Sequence, residues 1–227
     1  LPGSENDGTK IYFPSSLSWI LPAIEKCKQK VLNTPIIYSD ASDQSLNYWT
    51  IQIDENGGNN QEKKYFILYQ ESIQVAINKS NPISQLNIVL LNDILTGKLT
   101  SWQEVVSKCP DCIEKSNPNG LPQNSIQLWL FMPNSTSQKI IHELFFQEEM
   151  VSLAANIAPD ESAMAEAIGL NSSAIGFLPG HWLNTQTKAI PITGLSGVPT
   201  SPILISIHKS EIQNFEPFIA CLQEEIS

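Results

Sequence analysis

The chain has 227 residues, of which 41% are hydrophobic and 16% charged, a composition typical of a globular protein that is neither disordered nor membrane-embedded. Its formal net charge is −10, and its 13 basic residues are all lysines. This charge argues against a nucleic-acid partner, which needs clustered Lys and Arg to neutralise phosphates. Because the chain contains no arginine, an oxyanion would have to be held by backbone amides, hydroxyl groups or lysine.

The first ten residues, LPGSENDGTK, are polar and rich in glycine, and they predict a flexible leader. No charged segment followed by an apolar one opens the chain, so we expect that any signal peptide has already been removed. The longest apolar stretches have the length of strands and are too short to cross a bilayer. We therefore expect an exported protein, whose leader could tether the folded body to a lipid anchor.

Strand-like and helix-like segments alternate along the chain, and this alternation predicts an α/β fold. A helix is expected to begin at Ser15 or Ser16, because apolar residues follow at helical spacing as far as Cys27. A turn over residues 39–45 is expected to lead into a short helix. Residues 54–64 are polar and contain two glycines, and they predict an exposed loop. The other helices are predicted over residues 87–95, from 101, from 133–137 to about 150, over 160–168 and from 210. The strands are predicted over residues 10–13, 35–38, 65–69, 73–77, 126–131, 174–178, 189–192 and 203–208.

Several of these helix ends carry recognisable capping residues. Ser101 and Glu104 have the spacing of a capping box, and residues 210–213 repeat that pattern at the start of the last helix. Gly97 and Gly169 are expected to end the helices that precede them.

The four cysteines are Cys27, Cys109, Cys112 and Cys221, and their even number suits an exported chain with disulfides. Cys109 and Cys112 form a CxxC in a loop rich in Pro, Asn and Gly. A zinc site would need a second ligand pair, which the sequence lacks, and a thioredoxin-like role needs the motif at the start of a helix. We favour a local structural disulfide, with free thiols and redox chemistry as alternatives. Cys27 and Cys221 lie in predicted helices and are expected to pair if those helices meet.

Two segments, residues 13–17 and 132–137, share a strand, a turn dense in hydroxyl groups and a helix start. A helix N-terminus presents unpaired N–H groups and a partial positive charge, which suits an oxyanion. The alternative is that the Ser and Asn residues are simply N-caps. Residues 39–45, with their aspartates, are a third candidate. The predicted ligand-binding residues are Ser15, Ser16, Leu17, Ser39, Asp40, Ser42, Ser135, Thr136 and Ser137.

No constellation of catalytic residues stands out in the sequence. The three histidines, His142, His181 and His208, are scattered, and no nucleophile is paired with a base. We therefore expect a binding protein rather than an enzyme, without a cofactor or a metal. The possible walls of a ligand cleft are Trp49, Glu71, His181 and Trp182.

Four segments in the middle of the chain resemble a known family. VAINKSNPI (75–83) precedes LNDILTGKLTSW (91–102), and ESAM (161–164) leads to AIGF (174–177). This order is similar to the phosphate-binding proteins of ABC transporters, in which a V-x-V-N-x-x-N-P strand exit precedes an L-x-x-I-F-x-G-K-I-x-x-W helix and a later A-I-G-Y. The resemblance covers about residues 65–192.

The resemblance implies a type II periplasmic-binding-protein fold, with two α/β lobes joined by two crossovers and a ligand cleft between them. Lobe one would contain residues 11–78 and 190–227, including Cys27 and Cys221, and lobe two residues 79–189. The family's anion-binding S-G-T corresponds to residues 135–137, its first hydroxyl turn to residues 15–16, and its second serine turn loosely to residues 39–45. A membrane permease would be the partner of a monomeric binding protein outside the cytoplasm.

The chain departs from this family at the expected anion site. The arginine usually found before the S-G-T has no counterpart in residues 131–133, and Thr136 replaces the glycine. The predicted ligand is therefore a phosphate-like oxyanion or a small anionic or polar metabolite. A sensor or protein-interaction module that has lost transport is the alternative.

Overall fold

The computed structural model describes residues 9–12, 15–32, 36–39, 48–53, 61–115, 117, 120–133, 135–146, 150–195, 197 and 200–226. The strands are β1 (Thr9–Tyr12), β2 (Ile36–Ser39), β3 (Tyr48–Ile53), β4 (Lys63–Asn78), β5 (Leu86–Asn87), β6 (Gln127–Phe131), β7 (Asn156–Ala158), β8 (Ala174–Pro179), β9 (Thr187–Ala189), β10 (Ile192–Thr193) and β11 (Thr200–His208). The α-helices are α1 (Leu21–Val31), α2 (Ile88–Leu95), α3 (Trp102–Lys108), α4 (Thr136–Ile141), α5 (Glu161–Leu170) and α6 (Ile212–Ile226). The predicted α/β class is confirmed. None of the helices in these ranges is long and apolar enough to span a membrane.

The chain divides into two compact units. The first contains Leu1–Glu71 and Ser201–Ser227, and the second is the continuous segment Ser72–Thr200. Strand β4 contributes to both, since residues 63–71 belong to the first unit and residues 72–78 to the second. The lobe boundaries from the sequence, after residue 78 and before residue 190, stay a prediction.

The first unit is built on strands in the order β2-β1-β3-β11-β4. Strand β1 is parallel to β2 and β3, whereas β11 is antiparallel to β3. Its core combines residues from both segments of the unit, with Ile11, Leu17 and Ile24 from the first and Ile205 and Phe218 from the second.

Helices α1 and α6 of this unit are joined covalently and by ion pairs. A disulfide links Cys27 of α1 to Cys221 of α6. Glu225 of α6 is paired with Lys26 and with Lys30, whose Nζ lies 2.7 Å from Glu225 Oε1. The second disulfide, between Cys109 and Cys112, lies in the second unit, so the structure contains both pairs expected from the sequence.

The second unit is built on strands in the order β4-β8-β6-β7, and β9 also pairs with β4. Strand β6 lies parallel to both β8 and β7, while β4 is antiparallel to β8. Strand β8 is buried along its whole length, as expected for a central strand with covered faces. Strands β5 and β10 form a separate parallel pair.

One helix prediction and one strand prediction were wrong. The short helix expected after residue 45 is strand β3, whose aromatic and β-branched residues favour strands and which pairs with β1 and β11. The two strands predicted at 65–69 and 73–77 are one strand, β4. Its polar residues 70–72 do not interrupt it, and the strand pairs with β11, β8 and β9. At β3 the local residues themselves favour a strand, whereas at β4 pairing with neighbouring strands outweighs the polar residues.

The helix ends follow the sequence at some places and depart from it at others. Ser101 and Glu104 form the predicted capping box at the start of α3. A 3-10 helix over Lys209–Glu211 precedes the last helix, and its N-cap is His208, whose Nδ1 accepts from the Ser210 backbone N–H. The capping box predicted at residues 210–213 stays a prediction. Gly169 lies inside α5 instead of closing it.

The predicted long helix from residue 133 is shorter than expected. Helix α4 ends at Ile141 and continues as a π-helix over His142–Phe146, and Met150 is not helical. The strand predicted over 189–192 is split into β9 and β10, with Pro191 between them. Proline lacks the N–H that a continuous ladder would need.

The capping box makes the stability of the second unit depend on pH. Hydrogen bonds from the Thr100 backbone, and then from Ser101, lower the pKa of Glu104 below its ordinary value of 4.5. A lowered folded-state pKa stabilises the protein above about pH 4.5, and this contribution is lost as the pH falls through the folded pKa. We expect Glu104→Gln, which keeps the acceptor but removes the charge, to be less stable than wild type at pH 7. The difference in the free energy of unfolding should shrink as the pH falls below about 4.5 and through the lowered pKa of Glu104; a constant difference would contradict this assignment.

Candidate functional site

Three loops of the second unit meet at one edge of its sheet. Strands β8, β6 and β7 are parallel neighbours, with Leu128 beside Ile175 and Phe131 beside Ala158. The described residues that follow these strands, 132–133 and 135, 159–160 and 180–182, therefore lie at the same edge. Ligands of open α/β sheets bind outside the carboxyl ends of the strands, so this edge is the candidate site of the unit.

The loop after β6 is closed by its own hydrogen bonds. Ser135 is the N-cap of α4, and its Oγ accepts from the Gln138 backbone N–H at 3.1 Å. The Gln138 side chain turns back so that its Oε1 accepts from the Phe131 backbone N–H at 3.0 Å. These contacts fix the start of α4 against the end of β6, and they use the Ser135 hydroxyl oxygen for the helix itself.

Ser137 makes a different kind of contact, because it bonds to the neighbouring helix. Its Oγ donates to Oε1 of Glu161, the first residue of α5, at 3.0 Å. Both side chains are buried, with 9% of Ser137 and 8% of Glu161 exposed. The predicted anion-binding loop thus already holds a carboxylate of the chain itself.

This carboxylate changes the electrostatics expected at the site. Two unit negative charges 4 Å apart repel each other by about 4 kcal/mol at an effective dielectric constant of about 20. An oxyanion at the Ser137 hydroxyl would meet that repulsion, and the chain has no arginine to offset it. The geometry is better suited to a ligand that brings a hydrogen-bond donor.

Two predicted cleft-wall residues lie at the third loop. His181 and Trp182 form a 3-10 helix with Gly180 directly after β8, and this turn packs on α5. His181 is exposed, whereas the indole Nε1 of Trp182 is buried and has no hydrogen-bond partner among the described residues. Ser137, His181 and Trp182 are therefore brought to the same edge of the second unit's sheet.

The candidate residues of the first unit are only partly described. Ser15 and Ser16 begin a 3-10 helix, Ser39 ends β2, and Trp49 lies in β3. The side chains of these four residues, and that of Thr136 in the second unit, lie outside the described part of the structure. Asp40 and Ser42 lie outside the described residues altogether.

The remaining two candidates of this unit are buried. The side chain of Leu17 belongs to its core, with 1% exposed. Glu71 is buried within β4. Their roles as ligand contacts stay predictions.

The residues that carry the family resemblance have structural roles away from this edge. The Asn78 side-chain amide donates to the carbonyls of Ile168 and Gly169 at 2.9 and 2.7 Å, at the end of α5. The Asn81 amide donates to the Ser172 carbonyl at 2.9 Å. The two asparagines therefore hold the end of α5 and the turn that follows it.

Trp102 and Gly176 pack around the same turn and strand. The fully buried Trp102 donates from Nε1 to the Ser173 carbonyl at 3.2 Å. A Cβ at Gly176 would lie 2.7 Å from Met164 Sδ and 3.2 Å from the Trp129 carbonyl oxygen, so only glycine allows α5 to pack this closely on β8. The motifs mark the fold of the second unit rather than its candidate site.

Sequence reasoning missed Glu161 as a site residue. The signal was present, since acidic residues 160 and 161 stand at a predicted helix start. Strand β7, however, was not predicted, so nothing placed this helix start beside that of α4. The side chain of Asp160 caps α5 by accepting from the Ala163 backbone N–H at 2.8 Å, which leaves the Glu161 carboxylate for other contacts.

Two cavities of the second unit lie near these elements. One of about 360 Å³ borders the loop after β6 at Pro133 and Gln138 and is otherwise lined mainly by apolar side chains such as Leu130 and Val151. The other, of about 430 Å³, lies against Val75 and Ile190 and is also mainly apolar. Within the described ranges, no three His, Cys, Asp or Glu side chains are grouped to hold a metal ion.

No known family's sequence profile matches the chain, and no curated protein matches its sequence. Solved structures do match it. A phosphate ABC transporter substrate-binding protein with bound phosphate from Clostridium perfringens has a TM-score of 0.71 and 18% identity, over 94% of this chain and 92% of that one.

Regulatory domains match as well. The reduced OxyR regulatory domain from Pseudomonas aeruginosa gives a TM-score of 0.64 at 10% identity, over 96% and 95% of the two chains. The BenM effector-binding domain with its effector benzoate has a TM-score of 0.59 and 13% identity, over 95% of this chain and 90% of that one. These similarities confirm that the chain has the type II periplasmic-binding-protein fold.

Proposed function

We propose that the protein is an extracytoplasmic solute-binding protein of an ABC transporter, which holds a small ligand and delivers it to a membrane permease. The observation that supports this most is the edge of the second unit, where three parallel strands end in loops and the first turns of α4 and α5 carry the buried polar side chains of Ser137 and Glu161. The similar structure from Clostridium perfringens, a transporter substrate-binding protein with bound phosphate, supports the same role.

The disulfides support a place outside the cytoplasm. All four cysteines are paired, and Cys27 and Cys112 are almost completely buried. Disulfides persist in oxidising compartments and are rare in the cytosol, where thiols are kept reduced. A lipid anchor on the leader stays part of the proposal.

A second candidate function is a sensor module on the same fold. The similarity to the regulatory domain of OxyR and to the effector-binding domain of BenM favours it. Both functions require a small ligand. They differ in the partner, since a binding protein docks on a permease, whereas a sensor transmits ligand binding to another domain or protein.

The test is a thermal-shift panel of phosphate, sulfate, molybdate, tungstate, amino acids and small carboxylates, together with native mass spectrometry of the purified protein. A ligand at 100 times its Kd should raise Tm by about 5–10 °C for a chain of this length. We expect at least one compound to do so or to be carried through purification. No shift and no bound mass would contradict both functions.

Variants of the site sharpen this test. Ser137→Ala should weaken any ligand found by about tenfold, since it removes a buried hydroxyl. Ser125→Ala is the matched control, because Ser125 is exposed and precedes β6 at the opposite end of that strand. Equal affinities of both variants and wild type would remove Ser137 from the site.

A further inference from the structure

We propose that the cavity of about 360 Å³ beside α4 is a second binding site, for a small molecule with an apolar body and one carboxylate. The described residues that line it come from β6, α4, β7 and the segments 142–143 and 151–155, all within the second unit. Of the loops at the candidate edge, only Pro133 contributes to its lining. The site is therefore distinct from the place where Ser137 and Glu161 meet, and the inference does not depend on the proposed function.

The floor of the cavity is apolar. Leu130 of β6 and Ile157 of β7 are paired in register in parallel strands, so their side chains lie on the same face of the sheet. Val151 and Ala155 add to this apolar lining. Leu130 is buried, whereas 48% of Ile157 is exposed, so the floor runs from the core to the surface. Pockets for small molecules are typically about 300–1,000 Å³ in volume and are lined mainly by apolar side chains with a few polar groups.

The deepest polar group of the cavity wall is the side-chain amide of Gln138, and only 7% of this residue is exposed. Its Oε1 accepts from the Phe131 backbone N–H at 3.0 Å. Because that donor requires the oxygen, the Nε2 group with its two N–H donors lies at the other end of the amide. Nothing among the described residues accepts a hydrogen bond from Nε2. The fold thus uses the acceptor of Gln138 and leaves its donors for an occupant of the cavity.

This arrangement selects the polar group of the ligand. A group beside Nε2 has to be an acceptor, since an ammonium group there would place donor against donor. A carbonyl or carboxylate oxygen meets this requirement. A small inorganic oxyanion would meet it as well, but it has no apolar surface to cover Leu130 and Ile157. The apolar floor and the amide donor together call for an organic molecule with an acceptor at one end.

The rim of the cavity favours a carboxylate over a neutral carbonyl group. Lys139 follows Gln138 in α4, and its side chain is exposed at the cavity. None of the ion pairs within the described part of the chain involves Lys139. Glu143 also lies on this rim, four residues further along. The two opposite charges at the rim leave a single negative charge acceptable there, whereas a second one would gain nothing.

The experiment measures binding to the full chain by isothermal titration calorimetry at neutral pH. The probes are phenylacetate and its neutral isostere phenylacetamide. We expect both to bind, and phenylacetate to bind about threefold more tightly, because an exposed charge pair with Lys139 contributes little. Lys139→Gln should remove this preference and leave the affinity for phenylacetamide unchanged.

Gln138→Glu is the decisive variant. It keeps an oxygen for the Phe131 N–H but replaces the donor end of the amide by a second carboxylate oxygen. Phenylacetate should then bind about tenfold more weakly or worse, whereas phenylacetamide, which can donate its own N–H, should lose less. The preference between the two probes therefore reverses. Gln127→Glu is the matched control, since Gln127 is exposed at the opposite end of β6 and its replacement changes the net charge equally; it should leave both affinities unchanged.

Ala155→Phe tests the cavity without changing any charge, and it carries the test if Gln138→Glu does not fold. Ala155 is partly exposed, so a phenyl ring can be placed there, and it should abolish binding of both probes by filling the cavity. Absence of binding to wild type, or unchanged binding to Ala155→Phe, would overturn the inference. If a compound of the earlier panel binds but neither probe does, this inference fails and the proposed function stands.

Two further outcomes would assign the observations to something else. If Ser137→Ala weakens phenylacetate binding as much as Gln138→Glu does, the probe occupies the candidate edge and the inference is wrong. Analytical ultracentrifugation tests whether a second copy of the chain covers the cavity. A dimer that Ile157→Lys dissociates would overturn the inference, and a monomer in both forms supports it.

Discussion

Replacing both Cys27 and Cys221 by alanine should lower the free energy of unfolding by about 5 kcal/mol. The two cysteines are 194 residues apart, so their disulfide closes a very long loop. In the chain-entropy model, a crosslink destabilises the unfolded state more as the loop becomes longer. Denaturant unfolding followed by circular dichroism, without reductant, measures the difference.

The second disulfide is the built-in control for this effect. Cys109 and Cys112 are three residues apart, and the same model gives about 2 kcal/mol for their removal. The two double-alanine variants lose the same number of sulfur atoms but differ in loop length. Equal losses of stability would show that loop entropy is not what the long disulfide contributes.

The substitution Trp102→Ala should lower the free energy of unfolding by about 3–5 kcal/mol. Trp102 is completely buried in the core of the second unit, and its Nε1 donates to the Ser173 carbonyl at 3.2 Å. The loss combines a large cavity with a missing hydrogen bond. Thermal and denaturant unfolding of the purified variant measure it.

Trp102→Phe separates these two contributions. The Ser173 carbonyl keeps the backbone N–H of Gln127, at 3.1 Å, as a second donor, so it is not left without a partner. We therefore expect a loss of about 1–2 kcal/mol, from one hydrogen bond and part of the ring volume. A loss as large as that of the alanine variant would mean that the hydrogen bond, rather than the packing, is decisive.

Much of the fold could be predicted from local sequence signals. Alternating apolar segments placed β1, β6, β8 and β11, and the capping box of Ser101 and Glu104 placed the start of α3. The errors at β3 and β4 concern segments whose conformation depends on pairing with neighbouring strands. Strand β3 is held by neighbours on both sides, and β4 continues through its polar residues because each half has pairing partners. Such pairings join residues far apart along the chain, and no local pattern encodes them.

The candidate site shows the same limit more sharply. Ser135 and Ser137 could be predicted as residues of a helix start, but only the parallel pairing of β6 and β7 brings Glu161 to Ser137. The two residues are 24 positions apart, and the three-residue strand between them gives almost no periodic signal. The presence of a carboxylate beside Ser137 could therefore be recognised only from the tertiary structure.

The discontinuous first unit has a consequence for the order in which the chain can fold. Ile11 and Leu17 have core partners such as Ile205 and Phe218, which lie about two hundred residues later. The second unit is one continuous segment and contains its own core. During synthesis from the N-terminus, the second unit can therefore complete its packing first. Residues 1–71 of the first unit can complete their core only after β11 and α6 have been synthesised. The disulfide between α1 and α6 can form only after that last helix has been synthesised, so the Cys27–Cys221 disulfide reports that both segments of the first unit have come together.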